Sequence, residues 1–290
     1  MLRIVIVIYK NQNEIPILVD SLKSCIRVPH EIVFIDNSPG ASDIGVEEKF
    51  KGNSRYIIKS EKNLGFSKAA NLGAWFKGGY YDRISHFLFL NPDTLFLDPL
   101  TAQKFAEIEK LQGIVGFAVF NDIHKKSRQA SARSFPSFWT AISNREGILT
   151  RLFPKNKLSS KYLRSDLELS KPSKVDWVSG CALILSKKDF EKLGGFDEQY
   201  FLYIEDVDLC RKAESLSVPV YLYPHIAVMH YSRKSASKTP LRSDFFHHLG
   251  MFRYFWKWAG FERWILGPVV ALGILARLCV RQIERTVKGL

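Results

Sequence analysis

Short β-branched runs alternate with segments of helical period through the first 120 residues. That alternation restricts the fold more than any other feature of the chain. The runs are "RIVIVIY" (Arg3 to Tyr9), "HEIVFID" (His30 to Asp36), "SRYIIKS", "ISHFLFL" (Ile84 to Leu90) and "GIVGFAVF". Runs this brief and this apolar predict strands buried on both faces. Between the first two, Asn13 is positioned to cap a helix through about Cys25, with Pro16 tolerated in its first turn. "EKNLGFSKAANLGAWFKGG" reads as a loop leading into a helix that stops at the glycine pair, and another helix begins near Pro99. The expectation is an α/β fold with a mostly parallel central sheet covered by helices on both sides. Ligands of such sheets bind beyond the carboxyl ends of the strands. Those ends carry Tyr9, Asp36, Asn63 and Asp93.

The second half is less regular at first. Residues from about Asn121 to Lys174 are basic and serine-rich, a long excursion or lid. "VDWVSGCALILS" returns to strand character, and "KKDFEKLGGFDEQY" predicts a short helix closed by Gly194 and Gly195. "VPVYLYPHIAVMHY" is strand-like and brings His225 and His230. Before it, "YFLYIEDVDLCRKA" places Glu205, Asp206 and Asp208 in the first turn of a predicted helix, among apolar and aromatic neighbours. Like charges this close repel, and burial raises the cost. Either a cation, a proton-transfer task or a substrate hydroxyl makes the cluster useful, or these are solvated acids at a helix start, which favours them anyway.

A chain of 290 residues, 46% hydrophobic, can build one large α/β domain with an appendage, or two small domains. The net charge of +13 implies an anionic partner: nucleic acid, a nucleotide-bearing substrate or an acidic membrane face. From Arg233 to Leu290 the excess is +8, more than half of the total in the last fifth of the chain. Cys25, Cys181, Cys210 and Cys279 are scattered without a C-x-x-C pair, which fits a reduced, cytosolic protein without a zinc knuckle. "MLRIVIVIY" runs straight into "KNQNE" and does not read as a signal peptide.

No G-x-G-x-x-G follows the first strand, and no G-x-x-x-x-G-K-[ST] occurs anywhere. A glycine cradle for phosphates is therefore not expected, and a metal ion is the remaining common device for a diphosphate. Asp93, in "LFLNPDT", is a candidate ligand; the alternative is a plain Asn-Pro-Asp turn. His230, in "VMHYS", is either structural or, if it meets Asp93, a second ligand. Asn63, Gly65 and Lys68 suit an anion at a helix start, or simply a capped surface helix with a tight turn.

The ordered set of "IVIVIYKNQNEIPILVDSL", "EIVFIDNSPG", "NLGFSKAANLG", "FLFLNPDT", "VDWVSGCALILSKKDFEKLGGFDEQYFLYIEDVDLCRKA" and "MHYSRKS" resembles the family 2 glycosyltransferases of GT-A fold. Within that family it is most like the rhamnosyltransferase-like and galactofuranosyltransferase-like branches. The resemblance runs from about Leu2 to Ser235, and the stretch from Val175 to Ala213 is its most specific part. It implies a nucleobase pocket at Tyr9 and Asp36, with Asp36 accepting from a pyrimidine N3–H. It places Asn63, Gly65, Lys68 and Asn91 beside the ribose and diphosphate, and Trp177, Ser179 and Gly180 along the sugar and acceptor cleft. Asp93 and His230 would hold Mg²⁺ or Mn²⁺, although Asn91 stands where the family's D-x-D motif has its first acid. Asp206 would be the general base of an inverting transfer, with Glu205 and Asp208 raising its basicity or binding acceptor hydroxyls.

The tail mixes Trp and Phe with Arg and Lys. Its uncharged run, Trp264 to Ala276, is 13 residues and is broken by Gly267 and Pro268, too short to span a bilayer. Such a composition suits a helix lying at a membrane surface; the alternatives are a helical hairpin packed on the domain or a dimer interface. The expectations are a GT-A catalytic domain over residues 1–240 and a basic, aromatic helical region over 241–290 that associates peripherally with the cytoplasmic face of the plasma membrane. By resemblance, the donor is a nucleoside-diphosphate sugar, with dTDP-L-rhamnose first and UDP-galactose, UDP-galactofuranose or UDP-glucose as alternatives. The acceptor would be a polyprenyl-diphosphate-linked saccharide in bacterial surface polysaccharide synthesis, O-antigen among them. A non-catalytic nucleotide-sugar-binding protein of the same fold is the competing reading. A nucleic-acid-binding protein would need a recognisable module that the chain lacks.

Overall fold

The computed structural model describes residues 1–40, 48–50, 53–137, 162–164, 166–231 and 240–260, and beyond these 264, 267–268 and 271–273. The part of the 121–174 excursion at 138–161 and 165, and most of the Trp264 to Ala276 run, lie outside the described residues.

The predicted strands form because their residues have two apolar faces to bury. β1 (Leu2–Ile8), β2 (His30–Asp36), β4 (Asn53–Lys59) and β5 (His86–Leu90) pair in parallel in the order β4-β2-β1-β5. Alternate side chains feed two separate cores, as the two-residue strand period requires. Val5, Phe87 and Phe89 pack towards α2 (Phe66–Trp75), while Ile4, Ile6, Leu88 and Leu90 pack towards α1 (Ile15–Cys25). α1 holds Pro16 in its first turn, as expected, but Asn13 does not cap it: residues 12–14 form a short 3₁₀ turn and Glu14 takes the cap position.

The sheet is mixed rather than mostly parallel. The chain runs through β6 (Thr94–Phe96), α3 (Ala102–Leu111) and β7 (Ile114–Phe120). After the excursion β11 (Ala182–Ser186) enters antiparallel between β5 and β7. β12 (Val220–His230) then lies parallel to β7 and, past a bulge between Tyr223 and Ala227, antiparallel to β6. A short β3 (Glu48–Phe50) edges one side, and β9 (Ser173–Lys174) pairs with β12. β8 (Ala132–Arg133) and β10 (Trp177–Val178) make a small separate ribbon. α4 (Lys187–Leu193), closed by left-handed Gly194, and α5 (Glu205–Ser215) cover the β11 side. Phe190 and Phe196 fill that core against Phe89, with ring centroids at 5.1 and 4.9 Å.

One ion pair sits inside the frame. Arg3 and Glu31 face each other across β1 and β2, both wholly buried. Arg3 donates to Glu31 and to the carbonyls of Ala74, Phe76 and Gly78, while Glu31 also accepts from the Tyr80 N–H. The pair closes the C-terminal end of α2, whose last carbonyls have no helical partner. α6 (Pro240–Trp258) is the described part of the tail, and it packs on the body: Ser243, His248 and Tyr254 are buried. No described helix is long and apolar enough to cross a membrane.

Candidate active site

Beyond the carboxyl ends of β1 and β5 lies a cavity of about 210 Å³, lined by Tyr9, Asn63, Gly65, Asn91, Asp93 and His230 among others. These six come from four separated stretches of sequence. The register of β6 against β12 sets Thr94 opposite His230, and the Tyr231 N–H donates to the Asp93 carbonyl. Asp93 Oδ1 consequently lies 3.3 Å from His230 Nε2. Asn91 Nδ2 is 3.4 Å from the same nitrogen, and Gln129 Oε1 is 3.5 Å from His230 Nδ1. A proton on Nδ1 facing Gln129 leaves Nε2 with its lone pair towards Asp93, the tautomer a metal ligand needs.

The loop at Gly65 is built to a narrow tolerance. Asn63 Oδ1 accepts from the Gly65 N–H, and Asn37 brackets the loop through Leu64 N and Gly65 O. Gly65 has φ +80°, and a Cβ there would come within 2.5 Å of the Phe201 carbonyl oxygen, which already receives the Phe66 N–H. Only glycine satisfies both conditions. Lys68 does not join this cavity; it points outwards to Glu198 at 3.9 Å. Asp36 is covered at the end of β2. Its Oδ1 accepts from the Ser38 N–H, while its Oδ2 is buried without a partner among the described residues; Asp36 itself does not line the cavity.

The three acids of α5 take three different environments. Asp206 is half-buried; its Oδ2 accepts from the Gly180 N–H and its Oδ1 from the Val207 N–H, both at 2.8 Å. Gly180 allows that approach, since even a Cβ there would stand 3.2 Å from the Asp206 Cβ. The neighbouring Cys181 carbonyl receives the Asn91 N–H, which ties the Asp206 contact to the Asp93 turn through two residues. Burial raises the Asp206 pKa, opposed by the Gly180 and Val207 N–H groups and by Arg133. Glu205 is pushed up as well, by burial and then by the charge of Asp206, and its Oε2 has no partner among the described residues. Together the two carboxyls hold a proton more tightly than isolated acids would. Asp208 turns away from both: it accepts from the Tyr200 hydroxyl, the Lys257 ammonium and the Trp258 indole at 3.0, 2.8 and 2.7 Å.

Trp177 and Ser179 are framework here. The Trp177 indole donates to the Ser134 carbonyl, and the Ser179 N–H to Ser131. Burial pushes the Cys181 thiol up to about 12, so it carries no thiolate at neutral pH. Among the described residues, no three His, Cys, Asp or Glu side chains form a metal-holding group. Asp93 and His230 still fit a divalent ion of the Mg²⁺ or Mn²⁺ kind. They offer one carboxylate oxygen and one imidazole nitrogen at a spacing one ion can bridge, and such ions complete their coordination with water and substrate phosphate.

Residues that sequence reasoning did not single out complete the wall: Asn37, Phe201, Tyr203 and, from α6, Arg242, Ser243 and Phe246. Asn37 adjoins the Asp36 motif and could have been suspected. The α6 residues gave no signal, because an aromatic, basic helix reads as a surface-seeking one.

The mixed sheet with its strand-end cavity is shared with solved glycosyltransferases of GT-A fold. The structure aligns at TM-score 0.52 and 17% identity with GalNAc-T7 solved with UDP, GalNAc and Mn²⁺, over 79% of this chain and 43% of that one. It aligns at the same score and 12% identity with the mannosyltransferase PcManGT from Pyrobaculum calidifontis, over 96% and 69%. S. aureus TarS 1-349 also gives 0.52, at 14% identity over 96% and 80%.

In sequence, a family model described as the N-terminal domain of galactosyltransferase matches residues 166–234. Rhamnosyltransferase WbbL of Escherichia coli K12 is 30% identical over 172 residues, 58% of this chain and 61% of the relative. The N-acetylglucosaminyl-diphospho-decaprenol L-rhamnosyltransferase of Mycobacterium tuberculosis is 33% identical over 165 residues, 53% and 52%. The chain thus spans between half and two thirds of the length of these relatives. Over the matched stretches the chain is similar to rhamnosyltransferases, on a fold shared with GT-A glycosyltransferases.

Proposed function

We propose that this chain transfers a sugar from a nucleoside-diphosphate donor to a hydroxyl of a lipid-linked saccharide, with inversion at the anomeric carbon. The observation that carries the reading is the 3.3 Å approach of Asp93 and His230 inside one cavity with Tyr9, Asn63 and Gly65. A divalent ion bound by Asp93 and His230 would neutralise charge on the departing diphosphate. Asp206 removes the proton of the acceptor hydroxyl as it attacks, its carboxylate aimed by two backbone N–H groups. A raised pKa improves Asp206 as a base. The unpartnered Oδ2 of Asp36 supports its assignment to the base N3–H.

Similarity to two rhamnosyltransferases favours dTDP-L-rhamnose as donor, and the name of the mycobacterial relative favours a polyprenyl-diphosphate-linked N-acetylglucosamine acceptor. UDP-galactose, UDP-galactofuranose and UDP-glucose are the alternative donors. The reaction would take place at the cytoplasmic face of the membrane, with the outward side of α6 against the headgroups. Phe245 and Trp256 on that side are exposed, and Trp264 is exposed beyond them.

Thermal-shift titration of these donors with Mg²⁺ or Mn²⁺ should single out one of them, and only with metal. With that donor and the acceptor, Asp206→Asn should bind normally and transfer nothing; transfer at the parent rate would remove the base assignment. Phe245→Ser with Trp256→Ser should reduce partitioning onto anionic liposomes, and unchanged partitioning would remove the membrane claim.

A further inference from the structure

The cationic inventory of the cavity is short. Among the described residues, its lining holds one imidazole, His230, and one guanidinium, Arg242, and no lysine. A doubly charged diphosphate needs more than the one Asp93–His230 corner to offset it, and Lys68 is turned away towards Glu198. We infer that Arg242 is the residue that binds the donor diphosphate, delivered to the cavity by the first turn of α6. The inference rests on the reading that the donor is a nucleoside-diphosphate sugar.

The geometry is that of a prepared anion receptor. The Arg242 guanidinium lies over the rings of Phe201 and Phe246, at 5.4 and 5.6 Å from their centroids. Those two rings are stacked on each other at 4.3 Å. The guanidinium thus sits beside the stacked pair, within range of both rings, and its fork of N–H donors suits paired bonds to phosphate oxygens. No described carboxylate is paired with it, whereas Lys257, further along the same helix, is paired with Asp197 and Asp208. The support is stiff on both sides. Phe201 receives the Phe66 N–H through its carbonyl, so the ring under Arg242 belongs to the strut that fixes the Gly65 loop. Ser243, the next residue, is 2.7 Å from the Tyr203 hydroxyl. The start of α6 adds the positive end of a 19-residue helix.

A purely structural Arg242 would pack on the rings with its charge in solvent. The two roles separate by ligand. The full-length protein, with Mg²⁺ present, is titrated calorimetrically with dTDP and UDP and with thymidine and uridine. In Arg242→Ala the diphosphate that the parent binds should lose about 10- to 100-fold in affinity, while its nucleoside binds as to the parent. Arg242→Lys should recover part of the loss, since a point charge replaces a fork. Arg242→Gln, which keeps the stem over the rings, should behave like the alanine variant and guards against a packing artefact. Unchanged diphosphate affinity in Arg242→Ala, or equal losses for diphosphate and nucleoside, would overturn the assignment. A parent that binds neither diphosphate would instead overturn the donor reading itself, and this inference with it.

Discussion

Replacing Asp208 asks whether the three acids of α5 have separate tasks. Its carboxylate is 1% exposed and collects donors from two other elements: Tyr200 before α5, and Lys257 and Trp258 at the end of α6. In Asp208→Ala the Tyr200 hydroxyl and the Trp258 indole lose their acceptor, and a buried donor left unsatisfied costs about 1–3 kcal/mol. Lys257 is partly exposed and keeps Asp197 at 2.7 Å, so its contribution is smaller than that of a fully buried ion pair. The expected loss is about 3 kcal/mol, the lower end of what breaking one side of a buried pair costs. For a chain of this size that lowers Tm by roughly 6–12 °C.

Urea melts followed by far-UV circular dichroism and tryptophan fluorescence measure the loss. Because α6 brings Arg242, Ser243 and Phe246 to the cavity, nucleoside-diphosphate binding should weaken in parallel. Asp206→Asn is the control. Its carboxylate holds two backbone N–H groups, one of which an Asn amide still satisfies, so the loss should be about 1–2 kcal/mol, less than in Asp208→Ala, while transfer disappears. An Asp208→Ala protein that melts and binds like the parent, beside an Asp206→Asn protein that unfolds early, would refute this division of labour.

Burial and the Asp206 charge raise the Glu205 pKa, so the folded state holds its proton more tightly than the unfolded chain. Stability therefore falls as pH rises above the ordinary carboxylate range. Glu205→Gln should be more stable than the parent at neutral pH and lose that advantage in acid, which pH-dependent urea melts will show. Gly65→Ala forces a Cβ against the Phe201 carbonyl at a positive φ; backbone strain alone costs about 1–3 kcal/mol, and nucleotide binding measured by calorimetry should fail with it. Glu31→Gln strands the buried Arg3 guanidinium and should cost about 3–5 kcal/mol in denaturant melts, without a specific loss of diphosphate over nucleoside binding.

The strands were legible because burial on both faces leaves a continuous apolar signature, and β1, β2 and β5 fall where that signature lies. The antiparallel entry of β11 was not, since pairing direction is settled by a partner nearly one hundred residues away. The same limit applies to Asp93 and His230. Each could be named from its strand end, but their meeting depends on Thr94 pairing with His230. Two other outcomes were readable from helix geometry. Residues two apart on a helix do not share a face, so Asp206 and Asp208 could not both serve one cleft. Lys68 sits between Ser67 and Ala69, both buried on α2, and the 3.6-residue period turns it to solvent.

The tail shows what composition alone leaves out. α6 is apolar on two sides. Ser243, Gly250 and Tyr254 face the body, with Gly250 against Tyr203 and Ile204, and Phe245 and Trp256 face outwards. A helix rich in Trp, Phe and Arg looks the same in sequence whether its aromatics meet lipid or protein. Only the inner stripe, spaced to meet the residues just before α5, reveals that the tail closes the site. Any membrane contact made by α6 therefore has to use its outer stripe. A helix held from within by Asp208 and Tyr203 would then carry surface attachment and Arg242 on one rigid element, so docking and donor binding would be mechanically linked rather than assigned to separate domains.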